Sequence, residues 1–125
     1  MADDRKAFVI KSGEMGEITV AEEVVAIIAG IAATEVEGVS AMVGNITNEI
    51  VAKLGMKNLS KGVHVDMNGN EVTVMVAVVM AYAANVPEVS AKIQERIKTS
   101  IENMTGLHVA EVNVKIAGID VGRDN

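Results

Sequence analysis

The stretch that decides the fold lies in the last third of the chain. It runs through Val72-Thr-Val-Met-Val-Ala-Val-Val-Met-Ala-Tyr82, then Asn85-Val-Pro-Glu88, then Met104-Thr-Gly-Leu107, then the apolar run 109–116. The first and last runs are rich in the β-branched and apolar residues that favour strands. Between them stand a helix start signal and a helix stop signal. The stretch therefore predicts a strand, a capped helix and a second strand.

The spacing between those signals predicts an amphipathic helix that begins at Asn85 or Val86 and ends at Gly106. Pro87 fits the first turn, where its missing N–H is harmless, and Gly106 suits the left-handed residue after a helix. The predicted apolar stripe is Val86, Val89, Ile93, Ile97, Ile101 and Met104. Two i,i+4 ion pairs are expected on the polar face, Glu88 with Lys92 and Lys98 with Glu102.

A hairpin precedes this helix. Asn68-Gly69 is a favoured two-residue turn, which predicts strands over 62–67 and 70–82 with Val65 opposite Val72. In that register His64 faces Thr73, and Asp66 faces Glu71. Beyond Thr73 both alternate faces are apolar, so the second strand is expected to be central and covered on both faces.

The first half of the chain gives a second helix. Thr19-Val20-Ala21-Glu22 matches a capping box, and Gly38 is suited to the turn after the helix. The expected apolar stripe is Val24, Ile27, Ile28, Ile31 and Ala32. Residues 38–43 read as a short strand and residues 47–54 as a short helix. The last strand, 108–117, is expected to contain a bulge near Glu111.

Together these elements predict an α/β fold of the α+β type. We expect a two-layer sandwich in which a mixed β-sheet carries two long amphipathic helices on one face. The predicted organisation is a flexible tail at 1–15 with an edge strand at 7–11, one domain at 16–119, and a polar tail at 120–125.

Composition excludes several functional classes. The 125 residues carry a net charge of −6 and include one Phe, one Tyr, no Trp and no Cys. An acidic chain without aromatic or basic platforms is poorly suited to nucleic acid. The absence of Cys excludes disulfides and thiolate chemistry. The longest uncharged run, 72–87, is too short to span a bilayer, and no signal peptide is apparent, so direct membrane insertion is not expected.

The sequence offers only weak candidates for a metal-binding or catalytic site. His64 and His108 with Asp66 and Glu71 suggest a metal site, but we expect about 7 Å between His64 and Asp66, and no motif supplies a third ligand. Asp66 opposite Glu71 would be exposed, so neither would acquire the raised pKa of a catalytic acid. We therefore assign no catalytic, cofactor-binding or metal-binding residues, and expect no enzyme activity.

Three other patterns have plainer interpretations. Gly13-Glu14-Met15-Gly16 has the Gly-x-x-Gly form of an RNA-binding KH loop but lacks flanking helices and basic residues. The lysines at 53, 57 and 61 are typical of a solvated face. The methionines are expected to fill the core rather than to line a binding groove: Met42, Met56, Met67, Met75, Met80 and Met104.

A series of landmarks carries a family resemblance: Gly16-Glu17-Ile18, Val36-Glu37-Gly38-Val39, Lys61-Gly62-Val63, Tyr82-Ala-Ala-Asn-Val86, Gln94, Met104-Thr-Gly-Leu107 and Val112-Asn-Val114. In this order and spacing, the chain resembles the alkaline-shock and general-stress protein family of Gram-positive bacteria over residues 16–119. One departure is Ala83, where the family commonly has Gly.

The resemblance implies a small, non-enzymatic, cytoplasmic protein of envelope homeostasis and stress tolerance. It also implies self-association and, for some members, attachment to the membrane through a separate membrane-anchored protein. The alternative hypothesis is a small-molecule or acyl-chain binding protein with an aliphatic, Met-lined cavity. Direct sensing of alkaline pH is not expected, because His titrates too low and there is no Cys.

Overall fold

The computed structural model describes residues 7–43, 62–69 and 71–121. The short helix expected at 47–54, the three lysines at 53, 57 and 61, and Met56 lie outside these ranges. The described elements are, in chain order, β1 (Ala7–Gly13), β2 (Gly16–Ala21), α1 (Glu22–Thr34), β3 (Val39–Met42), β4 (Val63–Asn68), β5 (Glu71–Ala81), α2 (Val86–Thr105) and β6 (His108–Asp120).

Strand β5 is the centre of the main sheet, as the sequence predicted. On one side, β4 pairs antiparallel with its first half and β3 pairs antiparallel with its second half. On the other side, β6 pairs with β5 in parallel along its whole length. The sheet is therefore mixed. Strands β1 and β2 form a separate antiparallel hairpin.

The core lies along one face of β5. Alternate side chains of this strand are fully buried: Val72, Val74, Val76, Val78 and Met80. The helices contact each other, α1 contacts β3, β4 and β5, and α2 contacts β6. Burial of one large aliphatic side chain contributes about 1.5–3 kcal/mol, so this row and the helix stripes against it supply much of the stability.

Helix α2 matches the prediction at both ends. The Asn85 side chain accepts the Glu88 N–H at 3.0 Å, and Gly106 has a φ of 79°. The stripe is buried from Val89 to Ile101, but Met104 is exposed and Thr105 is buried in its place. The Thr105 hydroxyl donates to the Ile101 carbonyl at 2.6 Å and accepts the Leu107 N–H at 3.1 Å, so this polar residue is satisfied inside.

Helix α1 differs from the prediction. It begins at Glu22 directly after β2, and its N-cap, Ala21, makes no side-chain capping bond. Thr19 instead pairs with Val9 in the hairpin, so no capping box forms. The buried face is also displaced by about one residue, because Val24 is exposed. The buried apolar residues include several alanines, whose small side chains let the helix pack closely: Val25, Ala26, Ile28, Ala29, Ala32 and Ala33.

The hairpin register is displaced as well. Asn68 pairs with Glu71, so the turn lies one residue further along than predicted, and Val65 faces Val74 instead of Val72. Because the shift preserves the alternation of faces, the buried valines stay buried. His64 consequently faces Met75 and Asp66 faces Thr73, while Asp66 and Glu71 are not opposite each other.

The edge strand expected at 7–11 is present as β1, residues 7–13, and its Phe8 is only 1% exposed. At the other end β6 continues to Asp120. The predicted bulge is confirmed between Val109 and Glu111, and a second irregularity follows Ile116.

Candidate interaction surface

A row of long polar side chains on α2 faces the outer edge of β6. Gln94, Lys98 and Glu102 recur at four-residue intervals and so lie along one line of the helix. Gln94 Nε2 donates to the Val112 carbonyl at 3.0 Å, and Lys98 Nζ lies 3.5 Å from the Val109 carbonyl. Glu102 Oε2 accepts the Val109 N–H at 2.9 Å. We call residues 108–112 the sealed segment, because side chains of α2 bind its outward backbone groups.

Glu102 also ties α2 to the first residues of two strands. His108 Nδ1 lies 3.3 Å from Glu102 Oε2, and His108 Nε2 lies 3.9 Å from Glu71 Oε2. The hydrogen bond from the Val109 N–H, helped by Lys98 and His108, holds the pKa of Glu102 below its usual value, although desolvation opposes the shift. An ionised Glu102 therefore anchors the start of β6.

The rest of β6, residues 114–121, is different, and we call it the open segment. Among the described residues, no strand pairs with its outer edge, and no side chain of α2 binds its backbone. Exposure also rises along the strand, from 1% at Val109 to 48% at Ile119 and 60% at Val121. An unpaired edge lined with apolar side chains is a template for pairing with another chain.

The two histidines do not lie together. His64 Nε2 lies 3.2 Å from Asp66 Oδ1, and both side chains are exposed. His108 is at the opposite edge of β5, beside Glu71 and Glu102. In the described ranges, no three His, Asp or Glu side chains are grouped so that they could hold a metal ion.

The Gly-x-x-Gly segment forms the turn of the β1–β2 hairpin, with Gly13 paired to Gly16. It stands between strands and not between helices, in agreement with the rejection of the KH interpretation. Met15 at the tip is 100% exposed. The methionines are thus divided: Met42 and Met80 fill the core, whereas Met67, Met75 and Met104 are exposed, so core filling was wrong for these three.

A depression between the end of α1 and the middle of α2 is lined largely by charged side chains. Arg96 Nη2 lies 3.7 Å from Glu35 Oε1 there, and Lys92 lies 3.8 Å from Glu88 on the same helix. Such a wall is better suited to water and ions than to an acyl chain.

The binding of the β6 edge by Gln94, Lys98 and Glu102, which we call the sealing row, was not predicted from the sequence. Lys98 and Glu102 were recognised as an i,i+4 pair, and that pair is present at 3.7 Å, but their second task at the strand edge was not predicted. A signal was available, since Gln94, Lys98 and Glu102 share one helix line next to the strand that follows. Neither helix of the described residues combines the length and hydrophobicity needed to cross a bilayer.

Comparison with known proteins places the chain in a family. The model of the alkaline-shock protein family, described as having a cell envelope-related function, matches residues 10–121. YqhY of Bacillus subtilis (strain 168) is 41% identical over 105 residues, which cover 84% of this chain and 78% of YqhY. A stress response regulator gls24 homolog of Streptococcus pyogenes serotype M3 is 29% identical over 111 residues, covering 88% of this chain and 62% of that protein.

The fold has solved counterparts. MamM CTD in its copper form superposes with a TM-score of 0.50 at 12% identity, covering 83% of this chain and 92% of that one, a likeness of fold alone. The family match and the named relatives confirm the resemblance to alkaline-shock and general-stress proteins. The chain therefore belongs to the alkaline-shock protein family, whose function is related to the cell envelope.

Proposed function

We propose that this protein acts in stress response and cell-envelope homeostasis through self-association and protein–protein interaction. The observation that carries the proposal is the open segment of β6, where an edge that is unpaired among the described strands coincides with exposed apolar side chains. Protein–protein contacts gain most of their energy from such apolar groups once water is excluded. The family supplies the setting, the cell envelope.

The proposed role is non-enzymatic. The family description names an envelope-related function and no reaction. The candidate chemical groups support this view, because each histidine lies beside a carboxylate and the Ser40 hydroxyl donates to Asp120 at 2.6 Å. Nothing in these pairs has the nucleophile–base–orienter arrangement that covalent catalysis needs.

We place the protein in the cytoplasm, held at the membrane by a membrane-anchored protein partner, and we propose no nucleic-acid partner. The acidic net charge of −6 supports the lack of a nucleic-acid partner, and the envelope-related family supports the setting at the membrane. We further infer that both helices cover the same sheet face as one layer of a two-layer sandwich. The domain would then extend to residue 7, because Phe8 is part of its core.

The test is size-exclusion chromatography with light scattering on the full chain, over a concentration series at neutral and alkaline pH. We expect the mass to rise with concentration. Cross-linking in cells followed by affinity purification should recover a membrane-anchored protein. A chain that stays monomeric at all concentrations and yields no cross-linked partner would contradict the proposal.

The alternative, an acyl-chain or small-molecule binding protein, has less support. It needs a cavity lined by methionines, but Met42 and Met80 are packed in the core and three others are exposed. Native mass spectrometry of freshly purified protein would favour this alternative if a ligand of defined mass remained bound.

A further inference from the structure

We infer that the open segment pairs with the open segment of a second copy, so that two β6 strands run antiparallel about a two-fold axis at Gly118. This inference rests on the proposed self-association and assigns it a surface, a register and a symmetry. The paired edge would join two sheets into one continuous sheet, in an isologous dimer.

The first step is the direction of the backbone groups. Side chains of α2 bind the N–H and C=O of Val109 and the C=O of Val112, so these groups point away from β5. Backbone direction alternates along a strand, with the same period as the side chains. The N–H and C=O groups of Val114 and Ile116 therefore also point to the outer edge, where a second strand can bind them.

The second step is the irregularity after Ile116. Ile116 lies beside Val78 of β5, but Gly118 lies beside Val79, so Ala117 is an extra residue in β6. This bulge moves the alternation by one residue and turns the groups of Ile119 outward. Consistent with that, the Asp120 carbonyl points inward and accepts the Tyr82 N–H at 3.0 Å.

The third step is the register. The axis passes through Gly118, and the bulged Ala117 of each copy is left out of the pairing. Lys115 of each copy then lies opposite Asp120 of the other copy. Both residues are at inward positions, where antiparallel strands bring opposite side chains closest, with about 4.5 Å between Cα atoms. The Asp120 carboxylate is oriented by the Ser40 hydroxyl, which donates to Oδ2 at 2.6 Å. Two opposite-charge pairs thus select this register.

The same register also places apolar side chains of the two copies opposite each other. Ile116 lies opposite Ile119 of the second copy, and Val114 lies opposite Val121. All four are on the helix side of the sheet, and two of them, Ile119 and Val121, are large apolar residues left exposed in the single chain. Cross-strand apolar pairs of this kind stabilise antiparallel sheets.

Other occupants and registers fit less well. Moving the axis to Lys115 would place two lysines opposite each other, which is unfavourable. Extending the pairing toward Val112 would require displacing the Gln94 side chain from the Val112 carbonyl. A second copy brings both opposite-charge pairs and both kinds of apolar pair together in one register, without any group from outside the chain.

The experiment is a charge swap in the full chain, followed by sedimentation velocity over a dilution series. We expect Lys115→Asp alone, and Asp120→Lys alone, to weaken dimerisation by about tenfold or more, because each creates two like-charge contacts. The double variant should restore dimerisation to within about threefold of the wild type. Since it still lacks the bond from Ser40, restoration would have to come from the new charge pair.

The matched controls are Lys92→Asp and Glu88→Lys, which change the same charges at an exposed pair on α2 away from β6. They should leave dimerisation unchanged. Circular dichroism at the same temperature would check that every variant is folded.

A second measurement does not depend on charge. Gly118→Cys would place one thiol at the axis in a chain that has no other cysteine. A Cβ at this position lies 4.0 Å from the Val79 side chain, an ordinary contact, so the substitution should be tolerated. The short Cα distance across the axis suits a disulfide, so mild oxidation should give a covalent dimer at low protein concentration, whereas Lys92→Cys should not.

The outcomes separate the two proposals. A wild type that stays monomeric would overturn both the self-association and this interface. A wild type that associates, but whose charge-swapped variants behave like the controls and whose Gly118→Cys variant does not cross-link, would overturn only the interface.

Discussion

The two segments of β6 belong to one strand and lie beside the same strand β5, yet their outer edges differ. In the sealed segment, Val109 and Val112 are bound from outside by side chains of α2. In the open segment the apolar residues become progressively exposed toward Ile119 and Val121. The difference comes from the helix, because α2 supplies partners to one half of the strand and not to the other.

The sequence of α2 shows where side chains long enough to bind the edge of β6 end. Along one line of α2, the residues are Glu102, Lys98, Gln94, Ser90 and Val86. Glu102 and Lys98 both bind Val109, and the next step of about 6 Å along the helix, from Lys98 to Gln94, moves on to Val112. Three long polar side chains are followed by a short one and an apolar one. A strand edge can therefore be closed or left open by residues on another element.

The largest expected contrast is in stability. Val109→Ala removes a buried side chain from the sealed segment and should lower the free energy of unfolding by about 2 kcal/mol. Ile119→Ala removes a larger but exposed side chain from the open segment and should change it by less than about 0.5 kcal/mol. Urea denaturation at concentrations where the chain is monomeric would measure both. Equal losses would show that the open segment is covered within the monomer.

Acid should weaken the sealed segment through Glu102. Because the folded-state pKa of Glu102 is lowered, its contribution to stability is complete above the unfolded pKa, near 4.5, and is lost as pH falls through the folded value. Glu102→Gln should reduce the melting temperature at pH 7 and flatten its decline toward pH 3. Melting curves from pH 7 to pH 3 would test this, with Glu95→Gln as the control on the same helix. Parallel curves for Glu102→Gln and wild type would contradict it.

The parts of the fold that were predicted are those specified by local patterns. Helix α2 has isoleucines on one line, an Asn cap and a terminal Gly, and each of these signals acts within a few residues. The family resemblance, the central position of β5 and the first bulge of β6 also followed from local sequence.

The parts that were missed depend on contacts between distant residues. The start of α1 is set by pairing of Thr19 with Val9, which removes the capping residue that the local pattern suggested. The turn dipeptide Asn68-Gly69 predicted the wrong hairpin register, and burial of Val65 and Val74 does not choose between the two registers, because both keep these side chains on the same face. The contacts of Gln94, Lys98 and Glu102 with β6 likewise depend on the position of α2 beside this strand, and the helix sequence alone does not specify that position.

Opening the sealed segment should have a moderate effect. Gln94→Ala removes the donor to the Val112 carbonyl and should lower the free energy of unfolding by about 0.5–1.5 kcal/mol. It should also lengthen the free edge and so strengthen self-association. Combined urea titration and sedimentation velocity would measure the two effects. A loss of stability with weaker association would indicate that Gln94 supports the interface directly.

The smallest and most specific change would close the open segment. Ser90 is the next residue on the helix line of Glu102, Lys98 and Gln94. From the step between Lys98 at Val109 and Gln94 at Val112, we expect Ser90 to lie near Val114, with a hydroxyl too short to reach the strand edge. Ser90→Gln adds a donor of the same length as Gln94, so we expect it to bind the outward Val114 carbonyl and to weaken self-association about threefold, since the new bond must be broken before a second strand pairs. Ser90→Met has a similar length but no donor and should not compete for that carbonyl. Sedimentation velocity distinguishes the two variants, and equal dimerisation constants would mean that the open segment is not controlled by the reach of α2.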